Sequence, residues 1–212
     1  MRARLTPKNI ILYVVGIAVI AFGVVLSLRT GFGGNPGDTL TAILATVTGL
    51  SFGTASFAVC TVYILFLSAY FRTWKFLFLF VQVAIFSPIA DFWGLVVFPA
   101  FQPTGGAVVL AFAVSALAIP LGSAILIRTK LPAGIFDELM FFTAHVTHFK
   151  LSAARTLNES LIVGLAIAIG YASGNGLGAV GLGSIAYAVS VGWILKWILL
   201  LSEKIFPGRE QP

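Results

Sequence analysis

The stretch Leu28–Leu40, LRTGFGGNPGDTL, has a counterpart in Ile127–Leu139, IRTKLPAGIFDEL. The offset is 99 residues, from Arg29 to Arg128. Held without gaps, it also pairs Gly23 with Gly122, Asp38 with Asp137, Leu40 with Leu139, Thr48 with Thr147 and Ala55 with Ala154. Apolar matches are cheap in an apolar chain. The Arg-Thr and Asp matches are not, because only 9% of the 212 residues are charged. The chain therefore reads as an internal repeat, about 9–101 and about 107–202.

The composition names the solvent. Apolar residues make up 59% of the chain, and a soluble domain of this size buries only part of its surface. Disorder is excluded by the same excess. A single transmembrane domain over 1–212 is expected, with a helical fold. One cysteine, Cys60, excludes an internal disulfide and a multi-cysteine metal site.

Apolar runs long enough to span a bilayer are Ile10–Leu28, Thr54–Phe71, Phe76–Ala100, Ala107–Ile127, Leu157–Ala172 and Leu177–Leu201. The first exceeds a signal-peptide core and is read as a retained span. Asp38–Phe71 is too long for one span, at 1.5 Å per residue, and Gly49, Ser51 and Gly53 offer a bend. Asp137–Ala172 has the same excess, with a polar patch at His145–Ser152. Each stretch is expected to be a short helix, interfacial or re-entrant, followed by a span. Three spans per repeat is odd, so the repeats are expected in opposite orientation, a pattern of secondary transporters.

The charges orient the chain. Arg2, Arg4, Lys8, Arg72, Lys75, Arg128, Lys130, Lys150, Arg155, Lys204 and Arg209 fall on one face, and Arg29 stands alone on the other. The positive-inside rule predicts that both termini are cytoplasmic. The +6 net charge is thus an orientation signal, and no nucleic-acid partner is expected.

Several polar residues stand out as substrate or coupling-ion candidates. Asp91 lies inside the third apolar run, three residues after Pro88. A mid-membrane aspartate costs roughly 2.5–3.5 kcal/mol on insertion scales, so it needs a partner, a cavity or a proton. Either a backbone hydrogen bond or a coupling role meets that need. Asp38 and Asp137 head the two short helices, where aspartate also serves as a cap. Arg29 and Arg128 end their spans as headgroup anchors, or pair with those aspartates if the loops fold inward. Arg155 and Glu159 are spaced to pair on one helical face. His145 and His148 share a face but do not make a metal site alone. Gly49 and Gly53, and Gly170, Gly174 and Gly178, follow the small-xxx-small pattern of close helix packing. No cofactor, nucleotide or catalytic motif is present, so an enzyme is not expected.

The same residues carry a resemblance. Gly23, Gly33, Gly34, Pro36, Asp38 and Leu40, then Gly49, Gly53 and Thr54, form one block. Asp137, Leu139 and Met140, then Ser152, Arg155, Thr156 and Glu159, form a second, followed by Gly164, Gly170, Gly178, Gly183 and Gly192. This pattern resembles the YczE/YyaS/YitT family of bacterial inner-membrane proteins. The chain departs from it at Gly37, where the family has Trp, and at Ile135–Phe136, where it has Gly-Pro. It also has Ser184 where the family has Thr. The resemblance implies an inner-membrane protein and a transporter. The function expected is secondary transport of a small solute, anionic or zwitterionic, by alternating access, with room for proton coupling and a homodimer. The alternative is a non-transporting subunit or regulator of another complex.

Overall fold

A computed structural model describes residues 6–129, 131, 134–187, 194, 197 and 198. Among the described residues every regular element is helical. The helices are α1 (Pro7–Arg29), α2 (Pro36–Thr48), α3 (Phe52–Tyr70), α4 (Leu79–Asp91), α5 (Gly106–Thr129), α6 (Ile135–Thr147) and α7 (Leu151–Ala172). A 3-10 turn, Trp74–Phe78, leads into α4, and a π-helical segment, Phe92–Val97, continues it. Residues 182–187 are helical as well. Five helices are long and apolar enough to cross a membrane: Pro7–Arg29, Phe52–Tyr70, Trp74–Val97, Gly106–Thr129 and Ala153–Ala172. The sixth expected span, Leu177–Leu201, falls largely outside the described residues.

Local chemistry sets the boundaries. Thr6 caps α1 through Asn9 N–H, with Pro7 at the first helical position. Pro36 opens α2 in the same way, and Gly49, at φ 71°, closes it in the left-handed conformation. Ser51 then caps α3 through Thr54 N–H at 3.1 Å. The predicted bend thus lies at Gly49–Ser51. Gly49 itself has open space beside it, so it serves as a C-cap and not as a packing glycine. Gly53 does pack closely, against the Ser87 carbonyl. Gly174 and Gly178 have positive φ in the turn after α7, whereas Gly170 abuts the Gly176 backbone.

The second stretch repeats the first in local structure. α2 and α6 each have 13 residues and begin 99 positions apart. His148, at φ 57°, ends α6 as Gly49 ends α2. The Thr30 hydroxyl donates to Ser27 O and accepts from Phe32 N–H. The Thr129 hydroxyl makes the same pair of bonds with Leu126 O and Leu131 N–H.

α1 and α5 cross antiparallel at close range. A Cβ on Gly23 would stand 2.8 Å from Ile119 Cγ1, and one on Gly122 would stand 2.6 Å from Ile20 Cγ1. These two contacts are related by the same 99-residue offset. Missing side chains let the two backbones approach. Around this pair, α2 packs on α7 and α6 packs on α3. Leu40 and Ile43 meet Ala166, while Ile135 and Leu139 meet Cys60, Ile64 and Leu67. The short helix of each half thus rests on the long helix of the other. Val62, Leu65, Val109, Leu110 and Leu161 point outward, as a lipid-facing surface requires.

Candidate functional site

The two short helices meet at their N-termini. α1 rises about 34 Å over its 23 residues. Because α5 is antiparallel to it, Arg29 and Arg128 lie at opposite ends of the pair. Yet a Cβ on Gly37 would overlap the Phe136 ring. Both connecting loops therefore fold back inward along the helix pair. Gly37 and Phe136, two of the three departures from the family pattern, touch each other. The small residue makes room for the large one.

Beside this junction is a cleft of about 60 Å³, room for a few water molecules. Asn35, Pro36 and Gly37 form one wall, Phe136, Leu139 and Met140 a second, and Arg155, Asn158, Glu159 and Ile162 the third. Arg155 Nε donates to Glu159 Oε1 at 2.8 Å, the pairing expected from their spacing. Their side chains are 50% and 23% exposed, so the pair faces the cleft mouth. Asn158 Oδ1 accepts from the Thr143 hydroxyl at 2.7 Å. Its Nδ2 is buried and has no hydrogen-bond partner among the described residues. The positive ends of two helix dipoles converge here. The site thus offers an amide donor, a guanidinium and a carboxylate at one mouth.

Asp38 occupies the first turn of α2, buried, and its carboxylate is hydrogen-bonded by the Asn35 side chain. It lies near Cys60 of α3 and near Tyr187. The Tyr187 hydroxyl is bonded to Ser115 and Ser27. Among the described residues no Lys, Arg or His pairs with Asp38. Burial pushes its carboxyl up to about 7, against the opposing Asn35 bond. The folded protein then holds this proton more tightly than the unfolded chain. Folding stability falls as pH rises from about 4 to about 7, by on the order of 4 kcal/mol. Asp38→Asn should flatten that part of the pH profile of thermal unfolding and raise the midpoint at pH 8.

The remaining candidates are dispersed. Asp91 lies outside the cleft. Its Oδ2 accepts from the Ser51 hydroxyl at 2.6 Å and its Oδ1 from Gly53 N–H at 2.7 Å, at the start of α3. It therefore sits near the Arg29 end of the bundle and not at mid-span. Arg29 donates to Gly94 O at 2.6 Å, within the π-helical segment, and so does not pair with Asp38. Arg128 lies in the last turn of α5. Asp137 lies in the first turn of α6, and its side chain falls outside the described residues. His145 packs its ring against Phe71 in a tilted arrangement, and His148 is the αL residue beyond α6, so the two do not share a helical face. Among the described residues no three of His, Cys, Asp and Glu converge to hold a metal. Asn158 escaped the sequence reading. Its signal was its i, i+3 spacing from Arg155 on one face of α7.

Comparison with known proteins agrees with the resemblance read from the residues. The chain is 26% identical over 188 residues to the uncharacterized membrane protein YczE of Bacillus subtilis (strain 168). The match covers 88% of this chain and 83% of that protein. No solved structure matches it. A family of unknown function, DUF6198, matches residues 7–199, which takes in α1 to α7 and the whole cleft, and the chain belongs to that family.

Proposed function

We propose that this membrane protein is a secondary transporter of a small anionic or zwitterionic solute. It works by alternating access between two repeats of opposite orientation in the bacterial cytoplasmic membrane. The observation that carries the reading is the meeting of the α2 and α6 N-termini, at Gly37 and Phe136, beside a polar cleft. Transporter sites are built between inverted repeats, where half-helix N-termini face an anionic group. The antiparallel α1–α5 pair and the offset-related contacts support the inverted arrangement. The basic residues near Tyr70, Thr129 and the start of α7 make that end cytoplasmic by the positive-inside rule. The cleft lies between α6 and the first half of α7, so it opens toward the same end.

In this reading Arg155 and Asn158 hold the anionic group of the solute and Glu159 holds a cationic one, with the Arg155–Glu159 pair opening as solute enters. Asp38, buried with no cationic partner among the described residues, is the coupling candidate in place of Asp91. The test is thermal unfolding of the purified protein against small carboxylates and amino-acid zwitterions, followed by uptake into liposomes. A ligand at about 100 times its Kd should stabilise the wild type by about 2.7 kcal/mol. Glu159→Gln should lose that response while keeping its own midpoint near wild type; Asn158→Ala should lose it too, with a midpoint lowered by loss of the Thr143 bond. A folded wild type that responds to no solute supports the subunit or regulator reading instead.

A further inference from the structure

We infer that Ser56, Cys60 and Tyr63 of α3, with Leu40 and Thr41 of α2, form a second half of the solute pathway, shut in this conformation. The inference rests on the transporter reading and extends it to the opposite end of the bundle.

The 99-residue offset assigns each wall of the open cleft a counterpart. Arg155 corresponds to Ser56, Glu159 to Cys60 and Ile162 to Tyr63, while Leu139 and Met140 correspond to Leu40 and Thr41. The helix pairing is the same on both sides. Phe136 meets the Tyr63 ring at 6.2 Å between centroids, and Gly37 lines the cleft with Ile162. One side is open, with Arg155 half-exposed. The other is closed: Thr41, Ser56 and Cys60 are buried, where their counterparts Met140, Arg155 and Glu159 are not. Two copies of one local structure thus differ in accessibility. Exchange of their conformations is the simplest second state available to the fold.

The closed face suits such a role chemically. Ser56, Cys60 and Tyr63 recur at i, i+4 and i+7 on one side of α3. Ser56 bonds Cys60, so two polar groups satisfy each other while the face is shut. Opening would hydrate them, and with them the adjacent Asp38. The face leads toward Ser51, Arg29 and the loop before α5, the end opposite the cleft mouth.

Cys60 is the single cysteine of the chain and reports on this face without mutation. A membrane-impermeant maleimide is applied to either side of sealed vesicles. Gln102→Cys and Glu159→Cys, each in a Cys60→Ala background, mark the two faces. Gln102 is exposed in the loop before α5. Cys60 should react from the Gln102 face. Its rate should be about 10- to 1,000-fold below that of Gln102→Cys, the range for a minor state populated at 0.1–10%. Glu159→Cys should react from the other face. Cys60 labelling only after denaturation, or only from the Glu159 face, would overturn the inference. Solute uptake with an unreactive Cys60 overturns this pathway alone. A Cys60 that reacts as expected, in protein that binds no solute, overturns the transporter reading and leaves the opening motion standing.

Discussion

Gly122→Leu should leave little or no monodisperse folded protein, and Gly122→Ala should fold with a lowered thermal midpoint. At Gly122 a Cβ would lie 2.6 Å from the Gly16 carbonyl oxygen and 2.9 Å from Ile20 N. Backbone atoms cannot swing aside as a side chain can, so α1 and α5 must separate. Overpacking of this kind costs about 1–3 kcal/mol for the added methyl. A leucine adds three more carbons to the same contact. Because the Gly23–Ile119 contact lies farther along the same pair, separation at Gly122 weakens both. The comparison is Gly164→Leu, on α7, where a Cβ meets nothing within 4 Å. That variant should elute and melt like the wild type. Equal tolerance at both positions would mean that the close α1–α5 crossing is not what holds the bundle.

Much of this architecture was legible because lipid simplifies the code. Five apolar runs became five span-length helices, since a backbone in hydrocarbon has few other ways to satisfy its polar groups. The 99-residue offset was readable from Arg29–Thr30 and Arg128–Thr129 because charge is scarce. It returned as paired hydrogen bonds at Thr30 and Thr129. What could not be read was the partner of each short helix. The buried faces of α2 and α6 mix apolar residues with Thr39, Thr41 and Thr143, and periodicity says only that such a face is covered. That α2 packs on α7 and α6 on α3 depends on the α1–α5 crossing, a contact between residues about 100 positions apart.

The candidate site was legible in pieces. Arg155 and Glu159 were placed by spacing alone, since i, i+4 pairing is a local rule. Their neighbours Asn35, Gly37 and Phe136 were not, because they arrive from two loops folding inward from opposite ends. Gly37 and Phe136 had been visible only as departures from a family pattern. In the structure they are a small residue and a large one in contact across the junction. Asp38 read equally well as a helix cap, and it does occupy the first turn of α2. Its burial, with no cation paired to it among the described residues, is what separates it from an ordinary cap, and burial is a tertiary property.

Asp91→Ala should cost about 3 kcal/mol of stability and leave ligand binding per folded molecule unchanged. The Asp91 carboxylate accepts both the Ser51 hydroxyl and the Gly53 N–H, joining the end of α4 to the start of α3. Hydrogen bonds to a charged group contribute about 1.5–3 kcal/mol, and a negative charge at a helix N-terminus adds to that. Removing it leaves Gly53 N–H without its acceptor at a point where Gly53 already abuts the Ser87 carbonyl. Asp91→Asn keeps one acceptor oxygen and should lose about half as much. Ser51→Ala removes one of the two bonds and the Thr54 cap, and should cost about 1 kcal/mol. Intramembrane aspartates draw a functional reading because an unpaired charge there is so costly. Here the helix start relieves that cost, so the residue holds two helices together. A stable Asp91→Asn protein that no longer responds to the ligand of the Glu159 cleft would return Asp91 to the solute pathway.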